Sequence, residues 1–294
     1  MKNDAQKFSD LLKTIRQFFY GREALELLTH PLSPFGNPDP YVEPLKCEAG
    51  FLHTSPEFEM KKYLSQGGGD CFQICHVFRQ EEKGAWHREA FIMLEWYRLA
   101  TSMQGLIDEV ILLLNEVLGP LPVTTMSYDE MFKRGLSIDI KNISLQELRA
   151  VCIKYDMAAH HWSFNDCLFA LQAVLLEPGF NGLTVIRDYP SDQASLAKVG
   201  PDGKAKRFEI YVNSIELANG FEELNNTEEQ RLRFCEQNEF RARNKLSQIP
   251  IDSDFLNALK TLPDCSGVAL GVDRLFAIKQ GHQALVTNYF KSKN

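Results

Sequence analysis

Residues 70–98 contain the feature that most restricts the fold, two strand-like runs joined by a polar turn. The runs DCFQICHVFRQEE and REAFIMLEWYRL are rich in apolar and aromatic residues, and the turn KGAWH between them contains a glycine. Two such runs around a short glycine-containing turn predict a long antiparallel hairpin. A hairpin of this kind belongs in an antiparallel sheet, so the sequence disfavours the alternating βαβ units of a Rossmann fold.

The other segments complete an α+β pattern. Apolar residues at helical spacing predict helices over residues 5–20 and 103–118. The run RFEIYVNSIELANGF predicts a pair of strands, and CSGVALGVDRLFAIKQ predicts a strand that leads directly into a helix. Residues 124–178 are interpreted as a helical insertion that packs beside the main sheet. We therefore predict a single α+β domain over residues 1–294.

Charge and composition narrow the classes of function. The chain has a formal net charge of −7, which disfavours a broad nucleic-acid-binding surface. No run approaches the roughly 18 consecutive apolar residues of a membrane span, and the segment MKNDAQKFSDLLK lacks the apolar stretch of a secretory signal. The seven cysteines are odd in number and scattered, which is typical of free thiols in a reducing compartment. We expect a cytoplasmic protein.

The end of the first hairpin strand places Arg79 and Glu81 beside the turn. A guanidinium is a fixed fork of donors that can hold a phosphate oxygen with two hydrogen bonds. A nucleotide's α-phosphate needs such a group, because negative charge builds there when a carboxylate attacks. Taken alone, Arg79 is more often an ordinary surface arginine in an ion pair, so this segment requires a second one to support it.

The C-terminal segment SGVALGVDRLFAIK supplies that support. Gly267 and Gly271 allow the backbone to approach a flat ligand closely, and Arg274 falls in the first turn of the following helix. From there its guanidinium can reach the base or the γ-phosphate of a nucleotide. The Gly-Lys-Ser/Thr ending of a P-loop is missing. A glycine-dotted strand before a helix is by itself more often a packing feature, but the two segments together indicate a nucleotide site.

Together, FRQEE…H…F-x-MLEWY and G-x-A-x-G-x-DR resemble motifs 2 and 3 of class II aminoacyl-tRNA synthetases. The segments HTSPEFEMKKYL, ASLAK and RFEIYVNSIELANGFEEL resemble the lysyl branch, and most of all its short members that modify elongation factor P. The likeness covers about residues 8–290, is densest at 53–98 and 188–276, and is weak through 124–178. It implies a class II catalytic domain with an antiparallel sheet of about six or seven strands flanked by helices, a homodimer, and no anticodon-binding domain.

The resemblance also assigns roles to residues inside the matched motifs. The amino-acid substrate is expected to contact Ser55, Glu57, Tyr97, Glu223 and Ala269. ATP is expected to contact Arg79, Gln80, Glu81, Arg88, Glu216, Leu217, Gly271 and Arg274. Mg²⁺ that bridges the phosphates is expected to bind Glu216 and Glu209. Among these residues, Arg79 and Arg274 are the predicted catalytic pair.

The assigned groups suit a lysine-like substrate. Each ammonium of such a substrate must be paired when it leaves water. Glu57 and Glu223 supply carboxylates, and Tyr97 supplies a hydroxyl and an aromatic face. Glu216 and Glu209 offer the hard oxygen atoms that Mg²⁺ prefers. Outside matched motifs, any one of these acids would more often be a solvated surface charge.

Ala269 bears on the choice of substrate. It stands where tRNA-charging lysyl enzymes usually have glycine, and the short members that modify elongation factor P share the alanine. A methyl group at this position would reshape the floor of the amino-acid pocket. The resemblance therefore favours a β-amino acid over α-lysine.

The chain departs from the family pattern in two places. After the motif 2 turn, the usual H-N-P-E-F is replaced by HREAF at residues 87–91, so Arg88 stands where an asparagine normally touches ATP. Glu89 is not expected to replace the displaced acid, because a one-residue shift turns a strand side chain to the other face. In motif 1, His30 stands where a proline supports the dimer interface, so dimerisation is less firmly implied.

The sequence thus predicts ATP-dependent activation of (R)-β-lysine, or of lysine, as an adenylate, and its transfer to a lysine ε-amine of elongation factor P. The acidic balance favours a protein acceptor over tRNA. Two alternatives stay open: charging of lysine onto tRNA or a carrier, and catalytically silent binding of ATP or an amino acid by a regulator. The spacings of His160-His161 and of Cys71, Cys75 and His76 fit no common zinc site.

Overall fold

A computed structural model describes residues 3–286, so residues 1–2 and 287–294 of the predicted domain lie outside the described part. The α-helices are α1 (Asp4–Tyr20), α2 (Glu57–Ser65), α3 (Met103–Leu118), α4 (Tyr128–Leu136), α5 (Leu145–Lys154), α6 (Phe164–Leu171), α7 (Thr227–Arg243), α8 (Ser253–Ala258) and α9 (Val272–Lys279). The strands are β1 (Leu25–Glu26), β2 (Leu32–Ser33), β3 (Lys46–Cys47), β4 (Gly50–Leu52), β5 (Cys71–Phe78), β6 (Ala90–Leu99), β7 (Val123–Ser127), β8 (Leu183–Pro190), β9 (Lys204–Val212), β10 (Ile215–Glu222) and β11 (Cys265–Gly271). Within residues 3–286, every helix is too short or too polar to cross a lipid bilayer.

The main sheet has eight strands in the order β1-β5-β6-β11-β10-β9-β8-β7. Neighbours in its centre run antiparallel, whereas β1 pairs parallel with β5 at one edge and β7 pairs parallel with β8 at the other. Strands β2, β4 and β3 form a separate small sheet. The predicted α+β class is confirmed. The expected strand number was too low, because the two-residue β1 and the polar edge strand β7 do not show the alternating apolar pattern of a strand.

The predicted hairpin and helices are present at the expected places. Strands β5 and β6 pair from Cys71 opposite Tyr97 to Phe78 opposite Ala90. Helix α3 begins after Ser102, whose hydroxyl accepts a hydrogen bond from the amide of Gly105 and so caps the first turn. These elements were predictable because their apolar periodicity extends over many residues.

The two faces of the main sheet differ in chemistry. On one face, Phe208 and Ile210 of β9 join the core formed with α1, α3 and α9. The residues between and beside them, Glu209 and Tyr211, must point to the other face because successive side chains of a strand alternate. The alternation of β9 therefore separates a buried apolar layer from a polar face.

The predicted insertion, residues 124–178, begins with a strand and not with a helix, because β7 extends the main sheet. Helices α4, α5 and α6 follow, and each starts with a capping box at Ser127, Ser144 or Ser163. Their apolar sides form a second core that includes Tyr211 of β9. The insertion is thus packed against the polar-face end of the sheet.

Candidate active site

A row of side chains crosses the polar face of the main sheet. Glu95 on β6 is paired with Ala269 on β11, which is paired with Asn219 on β10, which is paired with Glu209 on β9. Residues directly opposite each other on neighbouring strands point to the same face. Three strand spacings, about 14 Å, separate Glu95 from Glu209. All four residues line one cleft.

The cleft has two adjoining compartments that share part of their lining. The larger has a volume of about 480 Å³ and is lined by Ser55 and Tyr97, among others. The smaller has a volume of about 190 Å³ and is lined by Arg274 and the start of α9. The side chains that line both compartments are Val42, Arg79, Glu216, Asn219 and Ala269. The residues predicted to bind the amino acid all line the larger compartment.

Glu95 is the central acceptor of the larger compartment, and the sequence did not single it out. The Ser55 hydroxyl donates to Oε2 of Glu95 at 2.5 Å, and the Tyr97 hydroxyl donates to Oε1 at 2.6 Å. The Ser55 oxygen also accepts a hydrogen bond from the amide of Glu57 at 3.0 Å. This network fixes the first turn of α2 against β6. Within MLEWY, Glu95 resembles any strand acid, and only its cross-strand partners show its place.

Glu57 and Glu223 lie together, as predicted, but a cation of the protein itself already lies between them. The Lys61 ammonium is 2.6 Å from Oε1 of Glu57 and 2.5 Å from Oε2 of Glu223. All three side chains are buried. Although burial alone would lower the pKa of Lys61, the two carboxylates raise it above its ordinary value. Lys61 was missed because a lysine in a charged helix is usually solvated.

The larger compartment has an excess of negative charge that it cannot fully solvate. Burial raises the pKa of Glu95 to about 7, and the nearby Glu57 adds to the shift. Burial also raises the pKa of Glu223 to about 8, against the opposing effect of the Lys61 ammonium. A bound ammonium would stabilise both carboxylates in their ionised form. Binding of a cationic amino acid is therefore coupled to the release of protons.

This coupling predicts that the KM for a diamino acid falls as the pH rises from about 6 to about 8, by roughly three- to tenfold per pH unit. The direction follows because the empty pocket holds protons on Glu95 and Glu223 that the substrate must displace. Titration calorimetry at pH 7 in two buffers of different ionisation enthalpy measures the released protons directly. Equal binding enthalpies in the two buffers would contradict the coupling.

The glycine at 267 is explained by the side chains that cross it. A Cβ built at this position would lie 2.3 Å from Cε1 of Tyr97 and 2.5 Å from Oε1 of Glu223. These contacts are too short for any other residue, so the strand can carry only glycine here while Tyr97 and Glu223 keep their places. Ala269, two residues further on, keeps its methyl group and faces the junction of the compartments.

The two predicted catalytic arginines line the same compartment although 195 positions separate them in the chain numbering (274 − 79). Arg274 donates to the carbonyl oxygens of Trp86 at 3.0 Å and of Glu216 at 2.8 Å. The Arg79 guanidinium makes two long polar contacts, to the Thr54 carbonyl and to Glu82, each at 3.4 Å, and its centre lies 5.2 Å from the centroid of the Phe91 ring. The guanidinium of Arg274 is thus held by the backbone, whereas that of Arg79 is weakly engaged and available to a phosphate.

The other residues predicted to contact ATP divide into two groups. Gly271, Leu217 and Arg88 line the smaller compartment, and Arg88 donates to the Leu285 carbonyl at 2.9 Å. Gln80 and Glu81, in contrast, are both exposed and line neither of the two compartments formed by residues 3–286. The hairpin turn supplies Glu82 to the compartment instead.

The two predicted Mg²⁺ ligands differ in how tightly neighbouring side chains hold their carboxylates. Glu209 is engaged by Arg207 and by the Tyr211 hydroxyl, each at 2.6 Å. Glu216 lies 3.6 Å from Arg274, and burial and the nearby Glu209 raise its pKa. No group of three or more His, Cys, Asp or Glu among residues 3–286 is arranged to hold a metal alone. Two carboxylates still fit Mg²⁺, because this ion keeps several waters and takes phosphate oxygens from a nucleotide.

The insertion contributes to the cleft, which the sequence did not predict. Phe169, Gln172 and Glu177 line the larger compartment. Oε1 of Glu177 accepts hydrogen bonds from Gln172 and from the Tyr211 hydroxyl, each at 3.1 Å. Burial raises the pKa of Glu177 to about 7, and the nearby Glu209 adds to the shift. The insertion therefore closes the cleft beside Glu209.

Comparisons with known proteins agree with this geometry. The family model of class II tRNA synthetases (D, K and N) matches residues 1–286. An elongation factor P–(R)-β-lysine ligase of Klebsiella pneumoniae subsp. pneumoniae is 41% identical over 297 aligned residues, which cover 95% of this chain and 91% of that protein. Proteins with the same name from Salmonella arizonae and Salmonella paratyphi B are 40% identical with the same coverage. The matched residues include every element that forms the two compartments.

Proposed function

This chain belongs to the family of class II tRNA synthetases (D, K and N), and we propose that it activates (R)-β-lysine with ATP and joins it to a lysine of elongation factor P. The observation that carries this proposal is the shared lining at Asn219 and Ala269, where a compartment rich in carboxylates adjoins one that contains Arg79 and Arg274. A diamino acid held by its ammonium groups in the larger compartment would present its carboxylate to a nucleotide phosphate in the smaller one.

In the first step, an oxygen of the amino acid's carboxylate attacks the α-phosphorus of ATP. The new P–O bond forms as the bond to the β-phosphate breaks, and pyrophosphate leaves. Arg79 and Arg274 offset the negative charge that builds on the α-phosphate. Mg²⁺, when bound by Glu216 and the phosphates, would supply further positive charge. No side chain needs to act as a nucleophile, so positioning supplies much of the rate enhancement.

In the second step, the neutral ε-amine of the acceptor lysine attacks the carbonyl carbon of the adenylate. The amide C–N bond forms, the C–O bond to the phosphate breaks, and AMP leaves. The amine loses a proton in the process. The names of the 40–41% identical relatives support elongation factor P as the acceptor.

Mass spectrometry of elongation factor P tests the proposal. Elongation factor P is incubated with the protein, ATP and either (R)-β-lysine or lysine, and a gain of one β-lysyl unit on one lysine is the expected result. Omission of ATP should abolish the gain. Attachment of lysine to tRNA in a parallel reaction, without any gain on elongation factor P, would identify a tRNA-charging enzyme instead. Absence of pyrophosphate exchange with every amino acid would contradict adenylate formation.

Replacing Ala269 with glycine should shift the preference from β-lysine towards α-lysine. The methyl group of Ala269 lies between Glu95 and Asn219 on neighbouring strands, so its removal changes the floor where the two isomers differ. A single methyl group in a pocket is worth roughly 1–3 kcal/mol of discrimination, so we expect a change of about tenfold in the ratio of kcat/KM values. Pyrophosphate exchange with both isomers gives this ratio.

Ala218→Gly is a matched control for this change. Ala218 is also a strand alanine, but it belongs to the apolar core on the other face of the sheet. The control should lower stability without altering the isomer ratio. An unchanged ratio in Ala269→Gly would show that this methyl group does not determine the substrate.

The proposal also includes a homodimer. Four large apolar side chains near the N-terminus are exposed, namely Tyr20, Leu25, Leu28 and Leu32, and they lie in the segment around motif 1. Burial of such side chains in a second copy would remove apolar area from water. Analytical ultracentrifugation should give twice the chain mass, and Leu28→Asp should give the monomer mass. A monomer in the unmodified protein would contradict the proposed assembly.

A further inference from the structure

Lys61 is an unusual residue beside an amino-acid-binding site, because its side chain is itself a cation and the site is expected to bind cationic ligands. Its side chain is 1% exposed and lies beneath the wall of the larger compartment, between Glu57 and Glu223. A buried ammonium loses its hydration and is tolerated only when it is well paired. Both of its carboxylate partners also line the cleft. Lys61 therefore acts on the cleft through Glu57 and Glu223.

Lys61 also offsets part of the negative charge of the acids around it. Glu57, Glu95 and Glu223 are three of the carboxylates that line the larger compartment, and the Lys61 ammonium is bound to two of them. The aminoacyl part of a diamino-acid adenylate has two ammonium groups and no free carboxylate, because the carboxylate has reacted. These two ammonium groups are the substrate groups that Glu57, Glu95 and Glu223 can pair with.

The arrangement also fixes the direction of the acceptor oxygens. Lys61 and Glu57 are one helical turn apart on α2, whereas Glu223 follows the end of β10. One ammonium that bridges both carboxylates holds the helix and the strand at a defined separation. The ammonium also relieves the repulsion between the two carboxylates. Without it, one carboxylate would take up a proton or the two would move apart.

We infer that Lys61 is a positioning and specificity-determining residue, which orients Glu57 and Glu223 towards the ammonium groups of the substrate and offsets part of the negative charge of these two acids. This inference rests on the proposed function, since it assumes that the larger compartment binds the amino acid. It adds that the protein's own ammonium, and not only the acids around it, determines which substrates bind. A neutral side chain at position 61 would leave the pocket with one more negative charge or with an added proton on an acid.

Lys62 offers a matched control on the same helix. Its ammonium is also held by two carboxylates, Glu59 at 2.8 Å and Asp252 at 2.7 Å. Neither of these acids lines the larger compartment. Lys61→Met and Lys62→Met therefore remove the same charge from the same helix, but only the first changes the acids of the cleft.

Pyrophosphate exchange tests the inference with the full-length protein. Lys61→Met should raise the KM for lysine or β-lysine by roughly 30-fold or more, as expected when charged contacts are disturbed, while the KM for ATP changes by less than about threefold. Lys62→Met should leave both values within about threefold. An unchanged KM for the amino acid in Lys61→Met, or an equal rise of both KM values, would overturn the inference.

Two further measurements keep the inference testable if Lys61→Met fails to fold. In Lys61→Ala, millimolar n-propylammonium should lower the KM for the amino acid, whereas n-propanol should not. Equal rescue by both compounds would indicate a packing role and overturn the inference. In the unaltered protein, norleucine, which has one ammonium, should have a KM at least about 100-fold above that of lysine, and similar values would also overturn it. Absence of exchange with every diamino acid would instead contradict the proposed function.

Discussion

Replacing Arg79 with alanine should lower kcat/KM for adenylate formation by about 10²- to 10³-fold, the typical effect of removing one group that stabilises transition-state charge. Arg79 lines both compartments and is thus near the point where carboxylate and α-phosphate would meet. The polar contacts of its guanidinium within the protein are long, each 3.4 Å. Its guanidinium therefore has donors left for a phosphate oxygen that forms bonds as negative charge builds.

Arg79 is a better position for this substitution than Arg274, because the Arg274 side chain also holds the backbone. Arg274 holds the carbonyl oxygens of Trp86 and Glu216, so its removal would also loosen the turn and the start of β10. Arg79→Ala should change the melting temperature by no more than about 2 °C, because the half-buried Arg79–Glu82 pair is long, at 3.4 Å, and such a weak ion pair contributes little stability. A loss of activity without a loss of stability can then be assigned to chemistry.

The measurement is pyrophosphate exchange at saturating amino acid, with Arg79→Lys and Arg231→Ala beside Arg79→Ala. Lysine keeps the charge but lacks the planar fork of donors, so an intermediate loss is expected. Arg231 lies on the exposed side of α7 and pairs with Glu228 at 3.0 Å, so its removal should change the rate by less than about twofold. Full activity in Arg79→Ala would remove the main support for charge stabilisation by this residue.

The sequence was sufficient for the parts of the fold whose pattern is local and long. The hairpin of β5 and β6, helix α3 and the strand pair β9 and β10 each repeat an apolar pattern over many residues, and periodicity of that length reports the element type reliably. The parallel edge strands β1 and β7 were not predicted. Their pairing depends on distant partners in β5 and β8, and no local pattern records a distant partner.

The candidate site was predictable to the extent that motifs concentrate its residues. Ser55, Tyr97 and Ala269 lie in matched motifs, and all line the larger compartment. Lys61 lies in a matched segment but on a charged helix, and Glu177 lies in the insertion, where the resemblance is weak. Only tertiary packing shows that Lys61 is buried and that Glu177 is half-buried at the cleft. A charged residue in a helix is usually assigned to the surface. To predict that it is buried, one must know which oppositely charged side chain it contacts in the folded protein.

Glu95 shows the same difficulty within a matched motif, and its substitution gives the second large effect. Glu95→Gln should raise the KM for the diamino acid by roughly 10- to 100-fold, because hydrogen bonds to charged groups contribute about 1.5–3 kcal/mol. Glutamine keeps the length of the side chain and can still accept from Ser55, while its amide can donate to the Tyr97 oxygen. The network around it is therefore preserved, and the loss can be assigned to the missing negative charge.

The same substitution should make the protein more stable. Burial raises the pKa of Glu95 to about 7 in the folded protein, from an ordinary value of 4.5, so ionisation of this group opposes folding. The opposing effect is absent below the unfolded-state value, grows as the pH rises between the two values, and is complete above about 7. At pH 8, Glu95→Gln should raise the free energy of unfolding by roughly 1–3 kcal/mol, and at pH 4 the difference should vanish.

Denaturant unfolding at pH 4 and pH 8, together with pyrophosphate exchange at pH 8, measures both effects on one variant. A simple packing defect would lower both stability and activity. Removal of a functional charge that is held unfavourably should instead raise stability and lower activity. Glu109→Gln is the contrasting case, because Glu109 is ion-paired with Arg98 at 2.7 Å, away from the cleft. That variant should lose stability and keep its KM. A Glu95→Gln protein that is less stable at pH 8 would show that its carboxylate is held favourably, and that the cleft does not store negative charge for a cationic substrate.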